Sequence, residues 1–413
     1  MESLSDKLKS LGVELGTAHL PAPVPKRTYG IETLVEGELV TTHVGEAFKR
    51  VERFDMEYRH GKVDLNRFDS PQTMLKWARC MESERAGDKS AYVFLDTETT
   101  GLSGGTGTLA FMVGIGFFNG QSEFQLEQYF LRDPVEEQAL LYALSEQLGK
   151  FEFIVTYNGK AFDVPLLRTR FILQGIAHPF DGLQHLDLLP LSRRLWRNSI
   201  ESRTLQNLEV QIIGAFRTQE EVPGWLIPQM YYDYLRSADA RPMKGIFYHN
   251  AMDILSLAAL FTHINHVFDD SEAQDALGGA DAAALARLYE DMSEKDKSIN
   301  LYANALSQEL SPDLFFVSLE RYAGLYRRAG QWEKAVELWQ IGAGRSHLPS
   351  VIALAKYYEH RAIDLSLALD WVEKGLAMVE QSTLPLHKKR QLKLDLQKRY
   401  NRLIGKTDHR TVS

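Results

Sequence analysis

The chain has 413 residues, 44% of them hydrophobic, which is enough for a sizeable core and for two or three domains. Its 47 Lys and Arg stand against 55 Asp and Glu, a net charge of −8 that excludes a general nucleic-acid coat, so any such contact has to come from local basic patches. One cysteine, Cys80, excludes an internal disulfide and a cysteine-built metal site.

Residues 1–87 form a segment of unclear role. The opening MESLSDKLKSLGVELG has no apolar signal core. Leu20-Pro-Ala-Pro-Val-Pro25 spaces its prolines as a linker does. The longest apolar stretch, Leu109 to Phe118, falls short of the roughly 20 residues that span a bilayer. The expectation is a cytoplasmic protein without a membrane partner.

Residues 88–268 read as an α/β domain. The apolar run Ala91–Leu95 predicts a strand that ends in Asp96-Thr97-Glu98. Leu109–Phe118 and Glu123–Leu131, joined by Asn119-Gly120, predict a hairpin. A helix follows from Pro134 to Leu148, then a strand at Phe151–Tyr157, a helix opened by Asp163-Val-Pro165, and a short strand at His185–Leu188. Shorter helices lead to the one carrying Asp253. The predicted sheet is mixed and five-stranded.

Residues 278–410 lose strand character and repeat. Ala335, Trp339 and Gly342 recur 33 residues later as Ala368, Val372 and Gly375, and Ser298, Tyr302 and Ala305 share their 0, +4, +7 spacing. This resembles three helical hairpins of the tetratricopeptide type, closed by a basic capping helix and suited to a protein partner.

The chemistry sits in the acids. Side chains two apart on a strand share a face, so Asp96 and Glu98 stand side by side. Two carboxylates held off water repel each other. A divalent cation that prefers hard oxygen ligands, Mg²⁺ or Mn²⁺, resolves that conflict. Asp163 has a second reading as a helix cap before Pro165, and Asp253 as a helix-surface acid. The four acids together, on two strand ends and two helix starts, favour one site.

DTETTG, then Asn158-x4-Asp163, then a helix with His or Tyr before Asp253, resembles the DEDD superfamily of 3′–5′ exonucleases, which has a ribonuclease H-like fold. The phrases LSGGTGTLAFMVGIG, SRTLQNLE, HNAMDILSL and LAKYYEH make most of the chain similar to the bacterial YprB-type ribonuclease H-like proteins. The resemblance implies hydrolysis of phosphodiester bonds at a single-stranded DNA or RNA end with two Mg²⁺ or Mn²⁺ ions. It places Asp96, Glu98 and Asp253 on one ion, and Asp96 with Asp163 on the second. Thr99, Leu102 and Asn158 fall where relatives contact substrate.

The general base departs from the superfamily. Its two branches place His five residues, or Tyr four residues, before the last Asp. Here Tyr248 is at minus five and His249 at minus four. Position minus four shares the helix face of Asp253, and histidine titrates near neutrality, so His249 is the expected base and Tyr248 the alternative. Arg193, Arg194, Arg197 and Arg203 make a basic stretch open to two readings, phosphate contact or a solvated helix face. The rival reading of the whole chain is a partner-binding scaffold with a weak or silent nuclease domain.

Overall fold

The computed structural model describes residues 29–411 except 56, 68–69, 102–106 and 121–122. The proline-spaced stretch and Leu102 therefore lie outside the described residues. Nine strands occur among the rest: β1 Glu38–Thr42, β2 Gly45–Phe54, β3 Arg59–His60, β4 Val63–Asp64, β5 Tyr92–Thr99, β6 Ala110–Asn119, β7 Glu123–Phe130, β8 Phe153–Thr156 and β9 Gln184–Asp187. β3 and β4 form a small hairpin, and the other seven build one sheet in the order β1-β2-β7-β6-β5-β8-β9. β5, β8 and β9 run parallel and the remaining neighbours antiparallel.

The sheet is mixed, as expected, but it has seven strands where five were predicted. The two added strands, β1 and β2, come from the segment of unclear role before residue 88. β2 hides its strand character behind Lys49, Arg50, Glu52 and Arg53. Those charges are the cross-strand pairs that hold it: Lys49 Nζ lies 3.2 Å from Glu127 Oε1, and Arg50 donates to Gln128 Oε1 at 2.8 Å.

Alternation along the strands makes two apolar faces. Phe94, Phe118, Phe124 and Phe153 pack beneath the long helix Met243–Asp269. Val93, Leu95, Ile115 and Ile154 pack with the helices Glu137–Leu148 and Asp163–Leu173 on the other face. The long helix is apolar and long enough to cross a membrane by composition, yet 78% of its apolar window is buried in the fold. It serves as the core helix. Two glycines of β6 let it approach the sheet: a Cβ at Gly114 would fall 2.1 Å from Asn250 Oδ1, and one at Gly116 2.5 Å from Ile254 Cγ2.

The C-terminal part is all helical. Gly279–Asp291 pairs with Lys295–Ser307, Pro312–Arg328 with Trp332–Gly344, and Leu348–Tyr357 with Leu365–Gln381. The three predicted repeat triplets are buried, each on the second helix of a pair. Gly330, at φ +75°, makes the turn within the middle pair. The helix Leu386–Thr411 closes the array by burying Leu396 and Leu403. The first pair shares the core of the sheet domain, since Leu285, Tyr289 and Leu301 pack in one cluster with Leu257 and Phe261 of the long helix.

Candidate metal centre

β5 presents Asp96 opposite Gly114 and Glu98 opposite Met112, and its ladder shifts register between Glu98 and Thr99, where the strand ends. One helical turn of Met243–Asp269 adds His249, Asn250 and Asp253. The helix after β8 begins with Asp163, whose carboxylate accepts a 2.5 Å hydrogen bond from Thr97 Oγ1. All these groups meet at the carboxyl ends of the parallel strands, where ligands of α/β sheets bind.

His249 is the hinge of the cluster. Its Nδ1 lies 2.6 Å from Glu221 Oε1, and its Nε2 lies 3.3 Å from Asp253 Oδ2 and 3.9 Å from Glu98 Oε1. Arg217, only 6% exposed, enters from a separate loop. It donates to Asp253, to Glu209 at 2.8 Å and to Glu221 at 3.0 Å. Asp96 is steadied from the sheet: Asn250 Nδ2 donates to its Oδ2 at 3.0 Å, Gln128 donates to Asn250 Oδ1 at 3.0 Å, and Arg50 donates to Gln128 at 2.8 Å.

The charges are in conflict. Burial, then the neighbouring carboxylates of Asp253, Glu98 and Asp163, push the Asp96 carboxyl well above the usual carboxylate range. Burial also pushes Glu98 up to about 8, against the opposing pull of His249. Burial pushes Asp163 upward too, and Thr97 opposes it. Burial would favour a neutral His249, but hydrogen bonding to Asp253 and the charges of Asp253, Glu98 and Glu221 outweigh it and raise the imidazole to about 10. Asp253 is buried as well, yet His249 and Arg217 hold its carboxyl below the ordinary range.

A divalent cation fits this donor set. Carboxylate oxygens of Glu98 and Asp253 and a ring nitrogen of His249 lie within 4.8 Å of one another. A cation held by the carboxylates would relieve the repulsion that raises Asp96 and Glu98, and carboxylate oxygens suit a hard divalent ion.

The structure therefore brings Glu98, His249 and Asp253 together, with Asp96 and Asp163 close enough to feel their charge. Tyr248 is turned away, and its hydroxyl accepts from the backbone N–H of Thr218 at 2.7 Å. Thr99 donates to the carbonyl of Gly101 at 2.9 Å. Asn158 stands at φ +69°, and its backbone N–H donates to Asp187 Oδ1 at 2.8 Å. Asp187 also accepts from Lys160 N and Leu189 N, so it organises the loop between β8 and Asp163. Sequence reasoning missed Arg217, Glu209, Glu221, Gln128 and Asn250. Only Asn250 left a signal, being three residues before Asp253 on the same helix face.

Exposed aromatics flank the cluster. Phe162 (55% exposed) precedes Asp163, and Phe216 (74%) precedes Arg217. Trp225 (75%) follows Gly224, where an added Cβ would lie 3.7 Å from His249 Cε1.

A strand-ordered mixed sheet with acids at its carboxyl edge is the architecture of a nuclease superfamily, and the comparison agrees. The family model described as RNase_H superfamily matches residues 93–265, and the chain belongs to that superfamily. It is also similar to the uncharacterized protein YprB of Bacillus subtilis (strain 168), 30% identical over 346 residues, which cover 81% of this chain and 82% of that protein. The family points to a hydrolase acting on nucleic acid.

Proposed function

We propose that the protein is a metal-dependent 3′–5′ exonuclease of the DEDD type, acting on a single-stranded DNA or RNA end. The observation that carries this reading is the meeting of Asp96, Glu98, Asp163, His249 and Asp253 at one edge of a ribonuclease H-like sheet. Asp96, Glu98 and Asp253 hold one Mg²⁺ or Mn²⁺ in this reading, and Asp96 with Asp163 the second. Bound ions would neutralise the carboxylates, leave the imidazole free of its proton at neutral pH and stabilise charge on the scissile phosphate.

The chain's own groups do the rest. Glu221 fixes His249 through Nδ1, so that Nε2 faces the cluster and accepts the proton of the attacking water. Asn250 and Thr97 hold Asp96 and Asp163 in place. The exposed Phe162, Phe216 and Trp225 offer faces on which unpaired bases stack, which favours a single strand over a duplex. Thr99, Leu102 and Asn158 are assigned to the substrate end.

The test uses end-labelled DNA and RNA oligonucleotides with Mn²⁺. Stepwise shortening from the 3′ end is expected, abolished by chelator and by Asp96→Ala. Shortening that persists in the Asp96→Ala protein would remove the assignment.

The helical array is assigned to the tetratricopeptide type and to a protein partner. A groove of about 660 Å³ walled by Trp332, Trp339, Pro349 and Ile352 supports that part of the reading.

A further inference from the structure

The acid cluster accounts for one end of a nucleic-acid strand. The basic stretch at 193–203 is not absorbed by it, and its place in the fold is informative. Arg193 and Arg194 lie on the helix Leu188–Leu195, which starts directly after β9. Arg197 follows in the next turn, and Arg203 lies in the loop before the helix Leu205–Leu208. The first helix of each of the two leading repeat pairs closes over them, and Arg287 and Arg321 come from those two helices. The six guanidinium side chains line one cleft of about 400 Å³ between the sheet domain and the helical array.

Among the described residues no carboxylate lines this cleft, although the chain carries a net charge of −8. Two of the six are engaged by acids outside the lining: Arg194 pairs with Asp291, and Arg321 lies 3.0 Å from Glu290. Arg203 donates to the carbonyls of Ile200 at 2.6 Å and Glu201 at 2.7 Å. Arg193, Arg197 and Arg287 are exposed and have no hydrogen-bond or ion partner among the described residues. Three unpaired arginines, gathered from two parts of the fold, repel one another. An anionic ligand with several phosphates removes that repulsion, and a guanidinium fork matches phosphate geometry.

The cleft is on the acid side of the sheet. β5, β8 and β9 are parallel, so Asp96, Asn158 and Asp187 mark the same edge. Tyr157, the first residue after β8, donates its hydroxyl to the Arg203 carbonyl at 2.5 Å, while the chain continues from Asn158 to Asp163. Two strand spacings and the length of the short helix put the arginines on the order of 20 Å from Asp96. That is the reach of a few nucleotides of extended strand.

We propose that this arginine cleft binds the sugar–phosphate backbone of a single strand whose end lies at the acid cluster, so that the helical array completes the strand-binding track. The inference rests on the nuclease reading only for the identity of the phosphate-bearing ligand. The phosphate chemistry stands on the arginines alone.

The test is fluorescence anisotropy of the full chain with labelled single strands in chelator, titrated across salt. The probes are a strand of about four nucleotides and one of about twenty. The Arg197→Ala, Arg287→Ala double variant removes two unpaired, exposed side chains and leaves no buried acid unsatisfied. It should weaken the long strand about tenfold and reduce the slope of log affinity against log salt by about 1.4, since each phosphate contact on a single strand is worth about 0.7. The short strand should be unaffected, and Arg197→Lys should keep the slope. A double variant with the parent's affinity and slope overturns the proposal. So does an effect equal for both lengths and competed by inorganic tripolyphosphate, which would make the cleft a site for small phosphates. If the double variant loses the long strand but the protein never shortens any oligonucleotide, the cleft stands and the nuclease reading falls. Shortening with an unchanged slope gives the reverse.

Discussion

His249 shows how much a single side chain is defined by what surrounds it. The helical register at minus four from Asp253 was visible in the sequence, and it places Nε2 3.3 Å from that carboxylate. The partner that fixes the ring, Glu221, is 28 residues away on a loop and gave no signal. His249→Ala should lower turnover roughly 100-fold to 10,000-fold in single-turnover assays. Tyr248→Phe should stay within a few-fold, because the phenol binds a backbone N–H and does not face the acids. The opposite order would transfer the base to Tyr248. That the acids come together was legible, because residue type and order mark them out. Arg217 and Gln128 were not, because an arginine 36 residues from Asp253 and a glutamine 122 residues from Asn250 acquire their roles only when the chain folds.

At the scale of elements, the hairpin at Asn119-Gly120 and the repeat triplets were readable because turn chemistry and spacing are local. Gly120 takes φ +65°, which the sequence pair anticipates. β1 and β2 were not readable. Their charged residues look like a surface segment until Glu127 and Gln128 of β7 stand opposite them. Gly114 gives a sharper case, because an ordinary glycine in an apolar run marks the spot where the long helix touches the sheet. Gly114→Ala forces its Cβ against Asn250 Oδ1, a 2.1 Å approach that the fully buried Asn250 has little room to relieve. Denaturant unfolding should show a loss of about 1–3 kcal/mol, and activity should fall with it as Asn250 leaves Asp96. A variant with the parent's midpoint and slope would contradict this packing.

Across the whole molecule, the last helix is fastened by one buried acid. Glu359 lies in a π-helical turn with a fully covered side chain, 2.8 Å from Arg402 and 3.2 Å from Lys406, and also paired with Arg399. Burial pushes its carboxyl up, but hydrogen bonds from Arg402 and Lys406 and the charge of Arg399 prevail and hold it near 2 instead of 4.5. A carboxyl depressed in this way stabilises the fold above about 4.5, and that stabilisation is lost as pH falls through 2. The shift corresponds to an upper bound of roughly 3 kcal/mol, trimmed by solvent around Arg402 and Lys406. Glu359→Gln should therefore melt below the parent at pH 7, with the gap closing toward pH 2. A gap independent of pH would assign the effect to shape and not to charge.

The pairing of β2 with β7 has a practical outcome for anyone shortening this chain. The family match begins at residue 93, which invites removal of everything before it. Seven of the eight β7 residues are buried, and β2 pairs with seven of them from Phe124 to Phe130. Cutting at residue 87 would leave that backbone as an open, apolar template for strand addition. Such a fragment should elute as aggregates in gel filtration, whereas a chain that keeps residues from 29 onward should not. The hairpin at 38–54 thus acts as a guard rail for the sheet, and the smallest intact folding unit starts well before the family's own boundary.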